Sequence, residues 1–345
     1  MKICHILWSL TTGGIETMLV DIINRQVDEA NVMLVVVNDL VDPKLVEQLS
    51  PKCRVRLLRR PAGSRNPLQI IRLNALVERF RPDVIHHHSP RTSRLLFTRR
   101  PSVRTIHATD LAADEYPRMD ALYAISDSVR DFTAAQGFDA RVIINGIPAD
   151  RIAAREPDGK QPDGTFRMVQ VGRVNFEQKG QDIAIEAMDR LVNGRGITNL
   201  RLHIMGEGED LPALRRMVAD RGLADYVVLE GLRTRTYVFD HLRDFDLFLQ
   251  PSRQEGFGLT VAEACAARVP VLISDLPGPL EIIDGGRLGA TFRAGDAGDL
   301  ADKIEAIYND GYDGRMIDGA QRRVKECYDV AVTARAYLDA YRKIV

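Results

Sequence analysis

The sequence predicts an α/β protein made of two Rossmann-like, doubly wound parallel-sheet domains facing a cleft, and three observations carry that prediction. Short apolar, β-branched runs alternate with helical patterns from one end of the chain to the other. Those runs are mostly continuous rather than alternating, as strands covered on both faces require. One polar stretch rich in Pro and Gly, EPDGKQPDG (Glu156–Gly164), interrupts the alternation, which then restarts. At 345 residues the chain also exceeds the usual size of a single core. The expected division is an N-terminal domain over residues 1–160, a second over 161–328, and a terminal helix over 329–345 that crosses back to the first.

In chain order, strands are expected at Lys2–Trp8, Asn31–Asn38, Val55–Leu58, Val84–His88, Val103–Ala108, Ala121–Ser126 and Val142–Ile144. Between them, helical spacing marks Gly14–Asp28, Pro67–Phe80 and Ser128–Gln136. After the polar stretch, strands are expected at Phe166–Val171, Arg201–Met205, Tyr226–Leu229, Leu247–Gln250 and Val269–Ser274. The accompanying helices are Gln181–Val192, Asp210–Arg221, Gly258–Ala267 and Leu300–Asn309, and Val330–Val345 is helical beyond the last strand. Ligands of open α/β sheets bind at the carboxyl ends of the strands, so motifs at those ends carry the functional weight.

Composition bounds the protein class. An apolar fraction of 45% and a charged fraction of 28% belong to a soluble globular protein. Cys4, Cys53, Cys265 and Cys327 are scattered without metal-ligand or disulfide spacing, which fits a reducing cytosol. No apolar run is long enough to span a bilayer, and the chain opens on a strand pattern rather than a signal peptide, so a cytoplasmic protein is expected. The net charge of −1 conceals an asymmetry. Residues 52–104 hold 14 Lys and Arg against Glu78 and Asp83, which gives +12 and leaves −13 for the rest. Such a field attracts an anionic surface or substrate, or else is a solvated face balanced by counter-charges elsewhere in the fold. The segment lacks the interleaved aromatics that stack nucleic-acid bases.

Several strand ends carry candidate groups. The first strand runs into SLTTGGIET, where Gly13 and Gly14 either admit a ligand to a helix amino terminus or merely make a tight turn. This is not G-x-G-x-x-G, so the dinucleotide fingerprint fails. In VIHHHSP, His86 and His88 share one face of a strand and His87 takes the other. No acid or cysteine sits at ligand spacing, so these histidines read as satisfied polar residues at a cleft rim. His107, in VRTIHATD, ends another strand of the same sheet and is either structural or functional. In the second domain, VGRVNFEQKG places Gly172, Arg173 and Lys179 around a strand's carboxyl end. An arginine and a lysine so placed suit a diphosphate. The next strand ends in GEGED, where Gly206 allows close backbone approach.

The densest signal is QPSRQEGFGLTVAEACAARVPVLISD, in which seven residues separate Glu255 from Glu263. The backbone of Phe257, Gly258 and Leu259 would present amides to an anion where a helix begins. Glu255 would reach past that anion to a neutral polyol, and Glu263, roughly one and a half turns into the helix, lies deeper. Carboxylates accept paired hydrogen bonds from vicinal hydroxyls, which suits a nucleotide sugar. The alternative is an exposed loop acid and a buried structural one. An acid among Ala262, Ala264 and Ala266 needs a partner either way.

The E-x7-E element within PSRQEGFGLTVAEA resembles that of the retaining glycosyltransferases of family 4, which have the GT-B fold. The resemblance extends over most of the chain through TTGGIE, PDVIHHHSP, IHATD, INGIP, GRVNFEQKG, MGEGED and VPVLISDLPGPLEII, in the family's order. It implies that Arg173 and Lys179 bind the donor diphosphate with the backbone of Phe257, Gly258 and Leu259. It further implies that Glu255 contacts the donor sugar, Glu263 the ribose, and that His107 lies beside the reacting centre. Gly13, Gly14, Gly172 and Gly206 would admit the donor. The loop at Asp275-Leu276-Pro277-Gly278-Pro279 departs from the paired glycine usual in the family.

On this reading the protein transfers a sugar, with retention, from a nucleotide diphosphate sugar to an acceptor. UDP is favoured over GDP, no other cofactor is required, and no Asp-x-Asp appears in the relevant loops, which argues against metal dependence. The acceptor is expected to be an anionic lipid-linked or growing glycan in surface polysaccharide biosynthesis. The basic segment 52–104 would mediate peripheral association with the inner membrane face, and no nucleic acid is expected. Two alternatives share these residues: a nucleotide-sugar epimerase of the same fold, and a non-catalytic nucleotide or nucleic-acid binding module.

Overall fold

The computed structural model describes residues 1–11, 13–90, 92–107, 113–156 and 164–345, without the side chains of residues 113 and 115. Contacts divide the chain into two units: Met1–Pro148 with Tyr328–Val345, and Ala149–Cys327. The division falls before the compositional break at residue 160 because residues 149–156 pack within the second unit. There Ala153 N–H donates to the Phe239 carbonyl, Arg155 N–H to the Ala267 carbonyl, and the Arg155 guanidinium pairs with Asp246 at 2.9 Å.

The first unit contains β1 (Lys2–Leu7), α1 (Gly14–Gln26), β2 (Asn31–Asn38), α2 (Pro43–Glu47), β3 (Arg54–Arg60), α3 (Leu68–Phe80) and β4 (Val84–His87). It continues with β5 (Ser102–Ile106), β6 (Ala121–Ala124), α4 (Asp127–Ala135) and β7 (Arg141–Val142). The seven strands are parallel in the order β3-β2-β1-β4-β5-β6-β7. Both faces are covered, which explains the continuous apolar runs. Cys4, Ile6, Met33 and Val35 pack with Leu73 and Val77 of α3. Leu7, Leu34 and Val36 pack with Leu19 and Ile23 of α1. The expected strand at Val142–Ile144 is reduced to Arg141–Val142, at the sheet edge.

In the second unit, β8 (Phe166–Val171) leads through α5 (Phe176–Lys179) and α6 (Gln181–Asp189) to β9 (Leu200–Met205), α7 (Leu211–Asp220) and β10 (Val227–Gly231). Then come α8 (Arg235–His241), β11 (Leu247–Gln250), α9 (Leu259–Ala266), β12 (Val271–Ser274), α10 (Pro277–Ile282), β13 (Ala290–Phe292), α11 (Ala297–Asp310) and α12 (Gly314–Cys327). Its strands are parallel in the order β10-β9-β8-β11-β12-β13. In each sheet the winding reverses once, between β1 and β4 and between β8 and β11. Those are the switch points at which doubly wound sheets bind ligands.

The last helix, α13 (Val330–Tyr341), belongs to the first unit. Ile147 and Asp329 pair in a parallel bridge: Ile147 N–H donates to the Tyr328 carbonyl and Val330 N–H to the Ile147 carbonyl, each at 2.8 Å. Asp329 caps α13 by accepting from Ala331 N–H. Among the described residues, no helix is long and apolar enough to cross a membrane.

Candidate functional site

At the switch point of the second sheet, the loops after β8 and β11 bring Lys179 and Glu255 together. The β8 loop turns at Gly172, exposes Arg173 and enters α5 through Asn175, whose side chain accepts from Gln178 N–H at 2.7 Å. Buried Gln181 holds this loop from two sides. Its amide donates to the Arg173 carbonyl at 2.9 Å and its oxygen accepts from Asn175 N–H at 3.2 Å. The backbone of Arg173 is thus fixed, while its guanidinium has no partner among the described residues. Gly206 packs against the same turn: with φ +156, a β-carbon there would stand 1.9 Å from the Gly172 carbonyl oxygen. Close backbone packing therefore demands this glycine.

Gly180 ends α5 at φ +64, and a β-carbon there would lie 1.9 Å from the Pro251 carbonyl oxygen. The short helix bearing Lys179 rests directly on the loop after β11. That loop is sewn down further, because Arg253 N–H and Gln254 N–H both donate to the Gln178 carbonyl, at 2.9 and 3.2 Å. The Arg253 guanidinium also forks onto both Asp182 oxygens at 2.7 Å. Lys179 Nζ consequently reaches Glu255 Oε2 at 2.5 Å, and Gln250 Nε2 donates to the same oxygen at 3.1 Å. From β8, Gln170 donates to the Lys179 carbonyl at 2.9 Å. With side chains 27% and 15% exposed the pair is largely withdrawn from water, so removing either partner would leave the other charge uncompensated. Glu255 Oε1 has no partner among the described residues and remains available for a hydroxyl group.

Phe257 is buried, Gly258 caps α9, and Leu259 is its first residue, so the positive end of the helix lies just beyond Glu255. Glu263, the fifth residue of α9, is 8% exposed. A cation stands near it: Arg235 Nη2, from α8, is 3.9 Å from Glu263 Oε1, and the same guanidinium lies over Phe239 at 4.8 Å. Sequence reasoning asked for a partner to this acid without finding Arg235. Nor did it single out Gln170, Gln181 and Gln250, the amides that fix the two loops.

Gly13, Gly14 and His107 lie in the first unit. Gly13 caps α1 and accepts from the Thr17 hydroxyl at 2.8 Å; Thr12, within TTGGIE, is outside the described residues. His107 follows the carboxyl end of β5, and Ala108–Asp110 of its motif are outside the described residues. Neither ring nitrogen of His107 has a partner among the described residues. Burial, reinforced by the charge of Arg104, pushes its pKa down to about 3. At neutral pH it is a neutral imidazole.

His86, His87 and His88 are hydrogen-bonded, as expected of satisfied polar residues, but they are buried in the first unit with His5 rather than placed at a rim. His5 Nδ1 and His88 Nε2 share a hydrogen bond of 2.9 Å, and His5 Nε2 meets Gln26 Oε1 at 2.8 Å. His86 bonds the Tyr341 hydroxyl through Nδ1 at 2.5 Å and Thr105 Oγ1 through Nε2 at 2.7 Å, and Thr105 in turn meets the Tyr337 hydroxyl. His87, on the opposite face, meets Thr92 Oγ1 at 2.9 Å. Burial lowers all of these pKa values, His5 to about 4 and His87 to about 3. In His86 and His88 the neighbouring histidines add to that effect. Nitrogens of His5, His86 and His88 lie within 4.8 Å of one another. Both nitrogens of His5 and of His86 are already engaged, so the group forms a hydrogen-bonded network rather than an open ligand set.

Residues 12–151 match Glycosyltransferase Family 4, and residues 165–310 match Glycosyl transferases group 1. The chain is 35% identical to a D-inositol 3-phosphate glycosyltransferase of Pseudarthrobacter chlorophenolicus over 165 residues, covering 47% of this chain and 39% of that protein. Against the lipopolysaccharide core biosynthesis mannosyltransferase LpsB of Rhizobium meliloti it is 33% identical over 209 residues, 56% of each chain. It thus spans about two fifths and just over half of the lengths of these two curated relatives. The crystal structure of Anabaena Alr3699/HepE in complex with UDP and glucose superposes with a TM-score of 0.81 at 18% identity, covering 99% of this chain and 100% of that one. The two sheets and the Anabaena likeness define the GT-B fold. The chain belongs to glycosyltransferase family 4.

Proposed function

We propose that the protein is a retaining hexosyltransferase that moves a sugar from a nucleotide diphosphate sugar, UDP in preference to GDP, onto an anionic lipid-linked or growing glycan. The observation that carries this reading is the Lys179–Glu255 pair, fixed beside exposed Arg173 at the switch point of the second sheet. Charge developing on the departing diphosphate falls to Arg173, Lys179 and the backbone of Phe257, Gly258 and Leu259. Fixed donors of this kind supply the largest part of many enzymes' rate enhancement. Glu255 accepts from donor-sugar hydroxyls through Oε1, and Glu263 accepts from the ribose. Gly13, Gly14, Gly172 and Gly206 leave room for the donor.

His107 hydrogen-bonds substrate as a neutral imidazole, since a pKa near 3 removes it as a general acid at neutral pH. Retention proceeds by a front-face path in which the leaving phosphate takes the acceptor proton and no side chain acts as nucleophile. UDP is favoured because the Anabaena neighbour was crystallised with UDP and glucose. A role in surface polysaccharide assembly at the inner membrane face is supported by the likeness to LpsB, named for lipopolysaccharide core biosynthesis.

The test is a thermal-shift panel of nucleotide diphosphate sugars, followed by mass measurement of the product formed with lipid-linked and glycan acceptors. A shift with UDP-sugars and an acceptor mass increased by one hexose are expected. Release of an epimer without any acceptor, or no shift with any donor, refutes the reading.

A further inference from the structure

Helix α3 is apolar on two sides. Its inner face buries Leu73, Val77 and Phe80 against the first sheet, so its outer face should be polar. Instead, Leu68 and Ile71 stand 63% and 59% exposed, three residues apart and hence neighbours on one stripe. Phe97, 81% exposed, is held beside that stripe. Its N–H donates to Asn74 Oδ1 at 2.7 Å, and Asn74 Nδ2 donates to the Leu95 carbonyl at 2.8 Å. Leu95 and Leu96 pack into the core next to α3, which anchors the turn that carries Phe97. Exposed Arg65, Arg72, Arg79 and Arg99 accompany the stripe, and none has an acidic partner among the described residues. Arg100, by contrast, is paired with Glu78. A single exposed apolar residue needs no explanation; three together, bordered by unpaired arginines, do.

We propose that this face of α3 and the 97–99 turn docks on a bilayer containing anionic lipid. Leu68, Ile71 and Phe97 enter the boundary between headgroups and acyl chains, and Arg65, Arg72, Arg79 and Arg99 meet the phosphates. The charge selects this occupant: Arg65, Arg72, Arg79 and Arg99 are exposed and carry no acidic partner among the described residues, which suits a continuous anionic surface better than the mixed charges of a protein partner. The inference deepens the lipid-linked acceptor reading above and rests on it for its purpose, since such an acceptor would be met at this face.

The experiment is co-sedimentation of the full chain with vesicles of phosphatidylcholine alone or mixed with phosphatidylglycerol, across a salt series. Binding is expected only to the anionic vesicles. Arg72→Ala and Arg79→Ala should each weaken it about fivefold at low salt and flatten its salt dependence. The triple variant Leu68→Ser, Ile71→Ser, Phe97→Ser should weaken binding more than tenfold with the salt slope unchanged. Phe97→Trp should show blue-shifted emission on anionic vesicles. Equal binding to both vesicle types, or wild-type binding by the triple variant, overturns the proposal. So does a lipid-free, concentration-dependent dimer that the triple variant abolishes, since the face would then be a protein interface. Nucleotide-induced thermal shifts of the same variants separate the two readings. A retained shift with lost vesicle binding supports both; vesicle binding with no nucleotide shift in any form sinks the transferase reading alone.

Discussion

Replacing Gly180 by alanine should damage the second unit far more than replacing Gly222, although both glycines have φ +64. The left-handed backbone costs any alanine about 1–2 kcal/mol, and that term is common to the two variants. At Gly222 nothing lies within 4 Å of the added β-carbon, so the conformational term is the whole effect. At Gly180 the Pro251 carbonyl oxygen stands at 1.9 Å, and ordinary contact requires a separation greater by about 1.5 Å. A side chain could swing aside, but this oxygen belongs to a backbone pinned by the Arg253 and Gln254 amides on Gln178. Overpacking of this kind adds about 1–3 kcal/mol. In a unit of this size Gly222→Ala should melt a few degrees below wild type and Gly180→Ala on the order of 10 °C below.

The same displacement separates Lys179 from Glu255, whose 2.5 Å contact leaves no slack. On the proposed donor chemistry, nucleotide-sugar turnover should therefore fall about 100-fold in Gly180→Ala and stay near wild type in Gly222→Ala. Melting curves with and without UDP, alongside turnover, make the comparison. Equal melting depressions, or an undiminished UDP response in Gly180→Ala, would refute the account of that contact.

Arg173 and Lys179 should separate binding chemistry from stability. Arg173→Ala removes an exposed guanidinium, so it should leave melting unchanged while turnover falls about 100- to 1,000-fold. Lys179→Met should lose a comparable rate and also about 1–3 kcal/mol of stability, because it leaves the half-buried Glu255 carboxylate without its cation; wild-type turnover in both variants would remove the diphosphate assignment. Acid should unfold the first unit ahead of the second. His5, His87 and His107 have folded pKa values pushed down to about 4, 3 and 3, below the ordinary unfolded value near 6.5. Below about pH 6.5 the unfolded chain takes up protons that the folded chain refuses. The stability they contribute is present above that pH and lost as pH falls toward 4 and 3, at roughly 1.4 kcal/mol per pH unit for each group. Trp8 is the sole tryptophan and lies in the first unit, so its fluorescence reports that unit directly; no change between pH 7 and 4 would contradict the burial of these imidazoles.

What the sequence revealed followed from how much of each element is buried. The interior strands β1, β2 and β11 bury nearly every residue and read as continuous apolar runs. Strand β13 has three residues and left no legible period, whereas α12 does carry one, Met316, Ile317, Ala320 and Val324 recurring at helical spacing, and it went unread because so few of its residues are apolar. Between β4 and β5 and between β5 and β6 the described connections hold single 3-10 turns, Thr92–Leu95 and Ala113–Arg118, where doubly wound patterning suggests full helices. In the candidate site, Lys179 and Glu255 were legible because glycines and strand ends framed them. Arg235 was not, since one arginine in RTRTYVFD looks like another until α8 is laid beside α9. The basic segment shows the opposite error. Its count is correct, but Arg104 is 3% exposed and lies over Tyr116 at 5.5 Å, and Arg60 lies over Trp8, so some of that charge is spent on aromatic faces rather than offered outward.

The bridge at Ile147 and Asp329 has a consequence for synthesis. A ribosome releases the first sheet earliest, yet His86 lacks its Tyr341 partner, and Thr105 its Tyr337 partner, until the last turn of α13 has emerged. The stretch from Ala149 to Cys327, uninterrupted in sequence, is complete sooner. The half of the molecule translated first is therefore the half that matures last, and a nascent chain stalled short of Tyr341 would carry a finished second unit beside an unsealed first one.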